Sequence, residues 1–81
     1  MTIRVLAFAR LREVLAFGER ELWLTAPATV RDAWVALAEG RGPADALFVS
    51  TRFARNGALV AADSALADGD ELALLPPVGG G

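Results

Sequence analysis

The sequence predicts an α+β fold, a mixed sheet covered on one face by a main helix, and three observations carry that expectation. Short apolar stretches with strand periodicity stand near both ends, one long helical pattern lies between them, and an Asn-Gly pair links two further short strands. At 81 residues the chain reads as one small domain, 1–77, followed by a flexible tail, 78–81. A domain of this size buries only about 60% of its unfolded surface, so every element has to contribute to one core.

Thr2 to Ala9 reads as the first strand, with Ile3, Val5, Ala7 and Ala9 on one face and Arg4, Leu6 and Phe8 on the other. Leu11, Val14 and Leu15 then recur at helical spacing, and Gly18 is positioned to cap a short helix. Arg20 to Thr25 returns as a second strand, which Pro27 ends. The main helix begins at Thr29, whose hydroxyl can accept from a free amide, while Asp32 suits the positive end of the helix. Val30, Ala33, Trp34, Leu37 and Ala38 share one face of it, and Gly40, Gly42 and Pro43 are expected to stop it. Arg52 to Arg55 and Ala58 to Ala61 form a hairpin around Asn56-Gly57, residues that accept the positive φ angles of a tight turn. A turn through Asp68-Gly69-Asp70 delivers the last strand, Glu71 to Leu75.

Strand, strand, helix and further strands leading to a C-terminal tail is the element order of the ubiquitin-like β-grasp fold. One helix covers one sheet face, and Leu6, Phe8, Ala73 and Leu75 stand at positions that point to the other. Either an apolar patch stays open there as a partner-binding surface, to which Phe8, Leu59 and Leu75 are assigned, or the Leu11 to Ala16 helix or the Leu47 to Val49 segment folds over it. Trp34 is expected to fill the core, and Trp23 to be buried or half-exposed.

The chain closes on Pro76-Pro77-Val78-Gly79-Gly80-Gly81. Proline fixes φ and lacks a donor, whereas glycine has no Cβ, so a stiff exit leads into a bare backbone thread carrying a carboxylate. From Pro76 onward the extended chain reaches at most ~20 Å, enough to enter a narrow tunnel in another protein. Composition limits what the domain can do by itself. It has no Cys, His, Lys or Tyr, and all eight of its cations are arginines. Thiolate nucleophiles, imidazole bases and the usual zinc ligands are therefore missing, which argues against an autonomous enzyme and against a metal site. A net charge of −2 with dispersed arginines argues against nucleic acid, and no apolar stretch is long enough to span a membrane. The simplest location for such a chain is the cytoplasm.

The stretch VLAFARLREV, from Val5 to Val14, the Asn56-Gly57 hairpin and the closing LADGDELALLPPVGGG resemble the β-grasp sulfur carriers over essentially the whole chain. The terminal Gly80-Gly81 and the DGDE turn are shared across those carriers. FARLRE and the PPV before the glycines resemble the branch that forms the small subunits of molybdopterin synthase. Gly79 stands where many of that branch carry Ala, Ser or Thr, a change that leaves the Gly80-Gly81 pair intact.

The resemblance implies a carrier with no permanently bound cofactor. A ubiquitin-activating-type adenylyltransferase would use ATP and magnesium to adenylate Gly81, and a sulfur donor protein would convert the acyl-adenylate to a thiocarboxylate. A larger synthase subunit would hold the pterin precursor, in a heterotetramer, and receive the tail through Gly79 and Gly80. Pro76, Pro77 and Val78 would join Phe8, Leu59 and Leu75 in contacting it. A terminal carboxylate with an ordinary pKa near ~3.5 is ionised at neutral pH and a poor electrophile, which makes prior activation necessary. Two other readings remain open at this point. One is a sulfur carrier for thiazole synthesis or tRNA thiolation, and the other is a ubiquitin-like interaction module whose tail is never activated.

Overall fold

A computed structural model describes residues 1–77. In chain order these form β1 (Thr2–Ala7), α1 (Ala9–Leu15), β2 (Glu19–Trp23), α2 (Val30–Ala38), α3 (Gly42–Leu47), a 3-10 turn (Phe48–Ser50), β3 (Arg52–Arg55), β4 (Ala58–Val60) and β5 (Glu71–Leu75). The five strands lie in the order β2-β1-β5-β3-β4. Only the central β1–β5 pair is parallel, and every other neighbour is antiparallel. This is the expected β-grasp arrangement.

Strand alternation explains where the core sits. Ile3, Val5 and Ala7 of β1 and Leu72 and Leu74 of β5 are buried, and the register sets Val5 beside Leu72 and Ala7 beside Leu74. Onto this face α2 lays Val30, Ala33, Trp34, Leu37 and Ala38, all buried. Trp34 meets Phe48 and Phe53 with ring centroids 5.6 and 6.1 Å apart, and those two phenylalanines are 6.0 Å from each other. Each such tilted or edge-on pair adds about 0.5–1.5 kcal/mol beyond the area it buries. The start of α2 is a capping box. Thr29 Oγ1 accepts from the Asp32 amide at 3.3 Å, and Asp32 Oδ2 accepts from the Thr29 amide at 2.8 Å. The loop before β5 satisfies two more amides of that first turn, with Val30 and Arg31 donating to the carbonyls of Ser64 and Ala62 at 3.0 and 2.8 Å.

Several sequence expectations need correction. β1 stops at Ala7, because Ala9 takes φ 52° and begins α1. That helix ends on Ala16 in the left-handed region, φ 65° and ψ 31°, and not on Gly18. Gly42 opens α3 instead of extending a stop, with a proline in the first turn, where a missing N–H costs nothing. β2 and β4 end earlier than expected, at Trp23 and Val60. Trp23 is neither core nor half-buried, being 68% exposed.

α1 settles which face stays open. Leu11 and Leu15 join the same buried cluster as Ile3, Val5, Trp34 and Leu72, so α1 lies on the helix side of the sheet. Phe48 packs against that cluster too, while Val49 is 88% exposed. Neither segment covers the second face.

Candidate functional site

The open face is built by register. Leu6 pairs with Ala73, Ala73 with Ala54, and Ala54 with Leu59, so four strands place these residues in one row across the sheet. One step nearer the tail, Leu75 stands beside Arg52. Phe8 leaves β1 with extended backbone, φ −126° and ψ 155°, which continues the alternation onto this face, and it is 45% exposed. Leu59 is 62% exposed, Leu75 is half-buried, and Pro76 and Pro77 are exposed. The structure thus brings Phe8, Leu59, Leu75, Pro76 and Pro77 to one end of the sheet. A shallow groove lined in part by Val49, Arg52, Leu59, Ala61 and Pro77 runs beside that exit. Val78, Gly79, Gly80 and Gly81 lie outside the described residues.

The opposite end of the same face is charged. Arg4 lies between Glu71 and Glu19, at 2.5 and 3.8 Å. These side chains are largely solvated, so the pairs add little to stability. Glu19 stands beside Leu6 at the β2 side, so the apolar part of the face lies toward β5, β3 and β4.

The start of β5 is held by a buried carboxylate that sequence reasoning treated only as a turn residue. Asp70 accepts from Arg55 Nε at 2.6 Å, Asn56 Nδ2 at 2.9 Å and the Ala67 amide at 2.7 Å. Burial alone would raise its pKa, but these hydrogen bonds and the charge of Arg55 outweigh it and hold the carboxyl down at about 2, against an ordinary 3.8. Asn56 adds a second clamp, its Oδ1 accepting from the Glu71 amide at 2.9 Å and its own amide donating to the Glu71 carbonyl at 2.8 Å. Asn56 and Gly57, with φ 50° and 87°, therefore make the expected hairpin and also lock the first residue of β5. Ala54 and Arg52 also escaped sequence reasoning, since their side-chain type gives no hint of a shared face. The strand alternation around Phe53 was the available signal.

Among the described residues no group of three or more His, Cys, Asp or Glu side chains converges to hold a metal. No helix there is long and apolar enough to cross a membrane. What the geometry offers is an open, partly apolar sheet face ending at Pro76-Pro77.

Comparison with known proteins agrees with that geometry. The ThiS family profile matches residues 5–81. A molybdopterin synthase sulfur carrier subunit from Chlamydomonas reinhardtii is 35% identical over 83 aligned positions, covering 100% of both chains. SAMP1 from Haloferax volcanii, a small archaeal modifier protein, has a crystal structure that superposes with a TM-score of 0.81 at 35% identity, again over 100% of each chain. A putative molybdopterin converting factor subunit 1 from Pyrococcus furiosus superposes with a TM-score of 0.84 at 28% identity, covering 96% of this chain and 99% of its own.

Proposed function

The chain belongs to the ThiS family, and from that premise we propose that it is the sulfur carrier subunit of a molybdopterin synthase. The observation that carries the reading is the course of β5. It runs at the centre of the sheet, is fixed at its start by Asp70 and Asn56, and passes through Leu75 into Pro76-Pro77 at the edge of an open apolar face. A larger subunit seated on Phe8, Leu59 and Leu75 would receive Val78 and the glycine thread in a fixed direction. Its full-length identity of 35% to a curated carrier subunit supports the same reading.

In this mechanism the chain supplies position and sulfur. An adenylyltransferase of the ubiquitin-activating type lets the Gly81 carboxylate attack the α-phosphate of ATP, forming the acyl-adenylate as pyrophosphate leaves. The terminal sulfur of a donor protein's persulfide then forms the C–S bond as the C–O bond to phosphate breaks and AMP leaves, and a second thiol cleaves the S–S bond, taking the donor's own sulfur into a disulfide. The resulting thiocarboxylate is a sulfur nucleophile on a chain that has no thiol of its own. Inside the larger subunit, in the cytoplasm, the glycines let backbone alone occupy the tunnel, and two carriers in succession deliver the two sulfurs of the dithiolene. Holding the thiocarboxylate beside the precursor is the contribution of this chain, and proton transfer belongs to the larger subunit. The chain has no imidazole, thiol, lysine or phenol, the groups best suited to exchange protons near neutral pH.

Equal identity to a small archaeal modifier protein favours a second reading, in which the activated carboxylate is joined to an amine of another protein. Reconstitution separates the two. Thiocarboxylated carrier mixed with the larger subunit and the pterin precursor is expected to yield molybdopterin without ATP, because activation was completed on loading. A requirement for ATP after loading, or product from the carrier alone, would overturn the mechanism.

A further inference from the structure

Trp23 is the most exposed aromatic side chain of the described residues, at 68%, and the sulfur carrier reading gives it no task. It lies on the open sheet face opposite Thr2, at the end far from the tail. Glu21 and Glu19 follow it along β2 on that same face, opposite Arg4 and Leu6. Asp68, Glu71 and Glu21 line the adjoining shallow depression together with Arg4, which pairs with Glu71 and Glu19, so the carboxylates here outnumber the one cation among them.

β2 is also an outer strand of the sheet, and the hydrogen bonds around it show which of its backbone groups are free. Met1 and Leu24 exchange bonds at both groups, each 2.8 Å, and the Ala7 amide donates to the Gly18 carbonyl at 2.9 Å. In an antiparallel ladder, bonded and non-bonded pairs alternate, so Gly18, Arg20, Leu22 and Leu24 bond inward to β1. The amides and carbonyls of Glu19, Glu21 and Trp23 therefore face outward from the sheet edge. The residues with free backbone groups are the same residues that present two carboxylates and an indole. Charged residues on a sheet edge commonly serve only to prevent aggregation. That role accounts for the glutamates but does not call for a solvated tryptophan beside them.

We propose that the β2 edge is a second docking surface, which takes an extended arginine-bearing segment of a partner protein as an added antiparallel strand. Side chains of the added strand opposite Glu19, Glu21 and Trp23 fall on the same face at every second position. A guanidinium fits both kinds of neighbour, lying flat on the indole and donating in pairs to a carboxylate. The recognised pattern is thus arginine at alternate residues. A second copy of this chain is a poorer occupant. Pairing two β2 strands antiparallel about Arg20 or Glu21 sets glutamate directly against glutamate, and the remaining register about Leu22 leaves only three residues of each strand paired. The proposal is independent of the tail's chemistry.

The test uses the full chain, isotope-labelled, and a capped peptide alternating Thr and Arg, with a Thr-Glu peptide as control. The Thr-Arg peptide is expected to shift the amides of residues 19–23 and the Trp23 indole, and to slow hydrogen exchange at Glu21 and Trp23. Binding should weaken about tenfold or more in Trp23→Ser, as for an exposed aromatic anchor. It should also be lost in Glu21→Pro, which removes an outward N–H without taking a bond from β1. Unchanged melting of Trp23→Ser keeps the result interpretable if the proline variant fails to fold. Equal binding of the two peptides, shifts centred on the β4 edge, an unchanged affinity in Trp23→Ser, or self-association of the chain through β2 would overturn the proposal.

Discussion

Asp70 is the charged residue buried among the described residues, and its environment makes a pH prediction with a definite sign. Its folded pKa of about 2 lies below the ordinary 3.8, so the stability it contributes is fully present above about pH 4 and is lost as pH falls toward 2. A displacement of that size corresponds to roughly 2 kcal/mol. Urea unfolding at stepped pH should show the loss, and Asp70→Asn should lack that part of the acid sensitivity. An identical pH profile in the variant would contradict the assignment. A second prediction concerns Ala16, whose φ of 65° is a region that alanine occupies at a cost. Ala16→Gly should stabilise the chain by about 0.5–1 kcal/mol, read from the denaturation midpoint. Neither residue was legible in advance. Sequence reasoning placed the cap on Gly18 because glycine is the usual left-handed residue, and the partners of Asp70 include Arg55, 15 positions away, which only the tertiary fold brings near. At the tail, where glycine is expected to be required for passage through a tunnel, Gly81→Val should abolish sulfur transfer while leaving the melting temperature unchanged.

Elements whose signals are local were read correctly, and those whose signals cut both ways were not. α2 announced itself through Thr29, Asp32 and an apolar stripe, and the structure joins the first two in a capping box and buries the stripe in the core. Thr29→Ala should accordingly cost about 1 kcal/mol in thermal or chemical unfolding. α3 was missed because Gly42 and the proline after it punctuate a helix at either end, and composition alone does not say which. Strand faces were legible for β1 and β5, where alternation is regular, but the exposure of Trp23 was not, since an apolar type carries no label for its side of the sheet. The open face invites an element-level experiment. Phe8→Asp should weaken binding to the larger subunit by at least ~2 kcal/mol while changing stability by less than ~0.5 kcal/mol. Equal binding with a collapsed melting temperature would show that Phe8 supports the fold and not the interface.

At the scale of the whole molecule, the topology couples the core to the tail. β5 is held between β1 and β3, buries Leu72 and Leu74 completely, and delivers Pro76-Pro77 to the rim of an apolar surface. On the proposed reading the chemistry belongs to the backbone terminus, which suits a chain without Cys, His, Lys or Tyr. The β-grasp fold was legible from element order and the Asn56-Gly57 hairpin, because two strands, a main helix and further strands leave few ways to close such a sheet, whereas the strand order came only from the structure. The central claim is that the terminal carboxylate is converted to a thiocarboxylate, and intact-mass analysis of the protein purified from its native cells addresses it most directly. Exchange of one oxygen for sulfur adds about 16 Da to the chain, and the account predicts that this species is present and disappears when the adenylyltransferase is deleted. Only the unmodified mass, in cells that are making molybdopterin, would contradict it.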